Sequence, residues 1–115
     1  MGAGELDRLI HIQRASVTTN AFNEVVESFA DLFSTWARKD DVSDGERIVA
    51  GQLGSSLVSR FKVRSSNNTR SITPQDRIRY GGTAAAPHLW NIHGVKETRD
   101  GRRRYLEITA ARDAD

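Results

Sequence analysis

At 115 residues, with 37% hydrophobic and 28% charged residues, the chain has the makeup of a folded domain rather than a disordered tail, and it is long enough for one core. Seventeen Lys and Arg against fifteen Asp and Glu leave a formal charge of +2, too little for the overall electrostatic footprint of a dedicated nucleic-acid binder. The absence of cysteine excludes a disulfide framework, a thiolate metal site and a cysteine nucleophile, and no apolar run approaches the roughly 20 residues of a membrane-spanning helix, so synthesis in the cytoplasm and no membrane partner are expected.

The first element is a strand over about 6–14, because Leu6, Ile10 and Ile12 alternate with Asp7, His11 and Gln13. The segment TTNAFNE (18–24) has the Thr and Asn content of a turn and predicts a hairpin with a loose tip, its second strand beginning near Glu24. In VVESFADLFSTWA (25–37) helical spacing joins Phe29, Leu32, Phe33 and Trp36. The β-branched and aromatic content instead favours a long strand, bent by a bulge near Ala30 and Asp31.

The stretch RKDDVSDGERIVAGQLGSSL (38–57) is far longer than the roughly 4 to 6 residues of a typical connection, and such loops usually have a function. GERIVAGQL within it has room for one short helix. Beyond it Leu57, Phe61 and Val63 alternate with Val58, Arg60, Lys62 and Arg64, a strand with one apolar and one largely cationic face. Pro74 and Asp76 mark a turn, Ile78 and Tyr80 alternate with Arg77 and Arg79, and GGTAAAP (81–87) reads as a loop. Trp90 and Ile92 share a face of the next strand. Asp100-Gly101 signals a hairpin turn, and the last strand alternates Leu106 and Ile108 with Tyr105, Glu107 and Thr109. Trp36 and Trp90, each among apolar neighbours, are both expected to pack in the core. The fold class is all-β: a small antiparallel barrel or sandwich of six strands, one domain over 1–115, with a long arm between strands two and three.

Chemistry of an enzyme is not apparent. His88 and His93 are five residues apart, which places them on opposite faces of a regular strand rather than around one metal ion. No nucleophile elbow occurs, and Gly45, Gly51 and Gly54 fit neither a phosphate loop nor a dinucleotide fingerprint. No catalytic residue, metal site or cofactor is assigned. Arg60, Lys62, Arg64, Arg77 and Arg79 form a candidate basic face. A solvated outer surface is the ordinary reading of such positions, and contact with acidic protein or the DNA backbone is the functional one. Few aromatics interleave with these cations, which disfavours a single-strand-binding groove.

The order of short motifs carries more information than any one of them. Gly4-x-Leu6-Asp7-Arg8, Thr35-Trp36-Ala37, Asp44-Gly45-Glu46-Arg47, Phe61-Lys62-Val63-Arg64, Asp76-Arg77-Ile78-Arg79-Tyr80 and Trp90-x-Ile92 follow one another across Gly4 to Thr109. In this the chain resembles the head-tail joining proteins of long-tailed bacteriophages and of phage-derived gene transfer particles, also called head completion or stopper proteins. The resemblance implies a small β-barrel that assembles as a homo-oligomeric ring at the virion neck after its synthesis in the host cytoplasm. On the capsid side its partners would be the portal and adaptor, and on the tail side the tail terminator or tail tube. Double-stranded DNA would pass without sequence-specific binding.

The resemblance also implies that the arm, about 40–56, projects toward the channel or a neighbouring subunit, with Asp40, Asp41, Asp44, Gly45, Glu46, Arg47, Ile48, Val49 and Leu53 as its contact residues. Acidic groups there would be repelled by packaged DNA, while Ile48, Val49 and Leu53 suit a short amphipathic turn that a partner covers. Two departures from the family pattern are the seven-residue GGTAAAP connection, where a tighter turn is expected, and Phe29, where a tryptophan is common. The rival reading is a nucleic-acid-binding barrel that uses the basic face.

Overall fold

The computed structural model of the protein describes residues 6–42, 56–100 and 103–113. Among the described residues six strands form the fold: β1 (Arg8–Thr19), β2 (Val25–Asp41), β3 (Ser56–Arg64), β4 (Arg77–Gly82), β5 (Pro87–Asp100) and β6 (Arg103–Asp113), with a short 3₁₀ turn at Thr69–Ser71. All neighbours are antiparallel, in the order β1-β2-β3-β6-β5-β4, and β4 returns to β1 through His11↔Arg79, Ile12↔Ile78 and Gln13↔Arg77, which closes the sheet. Closure leaves no open sheet edge where the ladders run all the way round.

Inward alternation builds the core. Ile10 and Ile12 of β1, Phe61 and Val63 of β3, Ile78 of β4, Trp90 and Ile92 of β5 and Leu106, Ile108 and Ala110 of β6 are buried together. Phe61 lies edge-on to Trp90 (centroids 5.4 Å, 79°) and to Tyr80 (6.2 Å, 73°), so one aromatic cluster fills the end of the barrel from which the β2–β3 connection leaves. At the opposite end the TPQD turn is fastened by Asp76, whose carboxylate accepts from the Thr73 amide at 3.0 Å and from Arg14 Nε and Nη2 at 3.0 and 3.1 Å. Arg14 Nη2 also donates to the Ser71 carbonyl at 2.8 Å, a forked, charge-assisted contact that ties β1 to the β3–β4 connection.

Several elements differ from the sequence reading. β1 does not stop near residue 14 but runs to Thr19, paired along its whole length with β2 through Thr19↔Val25. Polar, β-branched residues such as Thr18 and Thr19 sustain a strand without carrying the apolar alternation that would reveal it. The hairpin tip is tight rather than loose. Asn20 Oδ1 accepts from the amides of Phe22 (2.8 Å) and Glu24 (3.0 Å), and Asn23 takes the left-handed conformation at φ 61°, the αL position of a three-residue hairpin loop.

The bulge in β2 is at Leu32, one residue beyond its expected place, because Ile12 pairs with Phe33 and Gln13 with Asp31. GGTAAAP is not a seven-residue loop either. Gly82 pairs with Pro87, and Thr83 and Ala86 exchange two 3.2 Å backbone hydrogen bonds, so the strands are joined by a tight turn. Gly81 and Gly82 lie at φ +87° and +76°, and a Cβ on Gly82 would meet the Ala86 carbonyl at 2.5 Å, which explains the glycine pair.

Three facing assignments also change. Trp36 is 54% exposed and Ala37 beside it is the buried residue; Leu57 is exposed while Val58 is buried; Tyr105 is fully buried although it alternates with the core positions Leu106 and Ile108. Tyr105 lies against Lys62, whose Nζ sits 5.9 Å from the ring centroid. The ammonium thus lies over the ring on the outer side of the barrel.

Candidate functional site

β2 runs as a strand through Asp41, and the Val42 amide donates to the Val58 carbonyl at 2.9 Å. Asp40 and Asp41, assigned to the arm from sequence, therefore belong to the barrel ladder, opposite Arg60 and Ser59. Asp44, Gly45, Glu46, Arg47, Ile48, Val49 and Leu53 lie outside the described residues, as does the expected short helix.

The facing ends of β2 and β3 are well defined. Asp41 accepts hydrogen bonds from Lys39 and from Ser59 Oγ (2.7 Å), which hold its carboxyl below the usual range, and Asp40 pairs with Arg38 at 3.3 Å on the outer surface. Lys39 Nζ and the Arg112 guanidinium each lie 5.3 Å from the Trp90 ring, and Trp90 Nε1 donates to the Tyr80 carbonyl (3.1 Å) at the β4 bulge. With His88 and Leu57 these groups line a cavity of about 390 Å³ at the barrel mouth. Its rim mixes both signs of charge.

The five cations of the candidate basic face fall into two groups. Arg60, Lys62 and Arg64 are on β3; Arg77 and Arg79 are on β4, three strands away in either direction around the closed sheet. Most of them face partners within the protein. Arg60 meets Glu107 at 3.7 Å and Lys62 covers Tyr105. Arg79 meets Asp31 at 2.9 Å. Arg77 donates to Gln13 Oε1 at 2.7 Å and stacks 3.8 Å from the Phe29 ring centroid, and burial pushes its guanidinium pKa down. Hydrogen bonds from Gln13 and then Arg79 hold the Asp31 carboxyl below its ordinary value. Phe29 thus has a role of its own as the platform for Arg77. Arg64 is exposed and borders an open groove with Leu6, Thr35 and Trp36.

Two features escaped the sequence reading. β4 pairs with β1 only at His11–Gln13, and β3 pairs with β2 only at Ala37–Asp41. Among the described residues the outer parts of β1 and β2, Ala15–Thr19 and Val25–Ala30, therefore pair only with each other, and beyond the contact of Phe29 with Arg77 they stand out from the barrel as a two-stranded ribbon ending in Phe22, which is 83% exposed. The other feature is the exposed Trp36 at the opposite end of the same strand pair. Exposed aromatic and apolar groups of this kind mark contact surfaces, and only their outward facing, invisible to hydrophobicity alone, identifies them.

The model of the phage head completion protein family matches this chain over residues 1–113. The chain belongs to that family. Among solved structures, it is similar to protein SF1141 from Shigella flexneri 2a, known from a solution structure, with 28% identity, a TM-score of 0.67 and coverage of 99% of this chain and 97% of that one. It also shares the fold of a chain in the virion of a native gene transfer agent particle, at 23% identity and a TM-score of 0.63, with 94% of each chain covered. No curated protein matches it.

Proposed function

We propose that this head completion protein is a structural, non-catalytic component of the virion, assembled as a ring at the neck between the portal and adaptor on the capsid side and the tail terminator or tail tube on the other. The family match over residues 1–113 carries this reading. The fold shared with a chain of a gene transfer agent virion adds support. The protein is made in the host cytoplasm and joins the filled head, where the ring closes or lines the DNA channel and offers the tail its docking surface.

We assign contact with the channel or with a neighbouring subunit to the segment between β2 and β3, which starts at the barrel mouth beside Asp41 and Lys39. Its sequence carries Asp44 and Glu46, acids that DNA phosphates would repel, so it suits guiding or gating DNA without adhesion. The ion pairs of Arg60 and Arg79 with Glu107 and Asp31 support passage of DNA without binding, because these cations already face carboxylates.

A deletion tests the proposal. Lysates lacking the protein are expected to contain heads and free tails, few joined particles, and heads that lose DNA on standing. Electron microscopy counts the joined particles, and nuclease protection measures retained DNA. Joined, DNA-retaining particles at normal yield would overturn the role, and a lack of heads would move it to capsid assembly.

A further inference from the structure

We infer that successive copies of this chain contact one another by the tip of the β1–β2 ribbon of one seating in the Trp36 groove of the next. The inference rests on the ring reading above and names the surfaces that would build it.

The ribbon tip is a rigid display of apolar groups. Asn20 fixes the three-residue turn through two side-chain acceptor bonds, and its own amide donates to the Glu24 carbonyl at 3.0 Å, so Phe22 is held out from the barrel at little further entropic cost. Val25, 74% exposed, and Val17 continue the apolar surface behind it. Phe22, Val25 and Val17 remain exposed among the described residues. The stretch from Ala15 to Ala30 carries Glu24 and Glu27 and no Lys or Arg; Arg77 of β4 lies on Phe29 and within electrostatic reach of Glu27, which leaves Glu24 to make the tip acidic.

The groove has the opposite character. Leu9 and Trp36 are cross-strand partners on the outer face of β1 and β2, both exposed, and with Leu6 they present apolar surface beside exposed Arg64. Arg8, next to Leu9 in the chain, pairs with the buried Ala37 on the other face and donates to Tyr80 Oη at 3.1 Å, so the basic rim of the groove is Arg64. An aromatic anchor entering an apolar groove rimmed with arginine is the usual composition of an interface centre. Here Glu24 of one copy would meet Arg64 of the next.

Geometry and charge together select the mode of contact. Leu9 and Asn20 are eleven residues apart on one strand, about 35 Å at the usual rise of an extended chain, so a knob cannot reach the groove of its own molecule. Tip-to-tip pairing would bring the Glu24 residues of two copies together, and groove-to-groove pairing would bring their Arg64 residues together; like charges disfavour both. Knob into groove is head-to-tail, the arrangement that closes into rings.

Two variants of the purified full chain decide the matter in sedimentation velocity. Phe22→Asp blocks the knob and Trp36→Ser blocks the groove; both sites are exposed, and circular dichroism checks that each variant is folded. Arg64→Glu replaces Trp36→Ser if the latter unfolds. Wild type is expected to self-associate as concentration rises, and each variant alone should associate at least tenfold more weakly. An equimolar mixture should form dimers and stop there, since one intact knob and one intact groove remain per pair.

Variants that associate like wild type, or a mixture that stays monomeric, would overturn the inference. A wild type that is monomeric throughout, with Phe22→Asp nonetheless excluded from particles, would also overturn it and assign the knob to another virion protein. The mixing result needs no particle and the deletion phenotype needs no self-association, so each can fail without the other.

Discussion

Trp36 and Trp90 have similar sequence neighbourhoods and opposite environments. Trp90 is 4% exposed, set edge-on against Phe61, with its indole N–H satisfied by the Tyr80 carbonyl. Trp36 is 54% exposed, and the small Ala37 beside it takes the inward position next to the core. Strand alternation states that two adjacent residues face opposite ways; it does not state which way is inward, and hydrophobicity alone picks Trp over Ala. Trp90→Ala is therefore expected to cost about 3 to 5 kcal/mol, the usual range for truncating a buried tryptophan and a large share of the stability of so small a domain. Trp36→Ala should stay within about 0.5 kcal/mol of wild type, as exposed substitutions do. Denaturant melts of the two variants check the contrast, and equal losses would place Trp36 in the core.

At the level of elements, the alternation of Ile10 with Ile12, Phe61 with Val63 and Leu106 with Ile108 made the barrel legible, since each apolar series marks one side of a pleat. The ribbon was not legible. Ala15–Thr19 has no core to face, so its residues keep strand-forming chemistry without the alternation that core burial imposes. The bulges at Leu32 and at Gly81 were only partly visible, because a bulge is defined by its partner strand and a single chain segment does not reveal its partner. For the candidate site the sequence reading began the β2–β3 connection too early: Asp40 and Asp41 are ladder residues. Since the Val42 amide already pairs with Val58, replacing 43–55 by a short Gly-Ser linker should leave both strands intact. The expected result is native circular dichroism with loss of functional particles. Full particle yield from the linker variant would remove the arm from the mechanism.

The cationic positions singled out from the sequence are dispersed around the molecule. β3 and β4 carry the cationic positions on opposite sides of the closed sheet, and Arg60 and Arg79 face Glu107 and Asp31. Binding to duplex DNA depends on several cations neutralising phosphates along one track, each released counterion adding to the salt dependence. Groups on opposite sides of a barrel cannot share that track, and at physiological ionic strength a screening length of about 8 Å keeps them from acting as one field. The isolated protein is therefore expected to leave a short duplex unshifted in a gel and unchanged in fluorescence anisotropy at physiological salt, even with the protein in large excess. At low salt weak binding should appear without sequence preference. Micromolar binding at physiological salt that steepens as salt falls and weakens with Arg77→Ala and Arg79→Ala would restore the nucleic-acid module as the better reading, because it would require the β4 cations to leave Gln13 and Asp31 for phosphate.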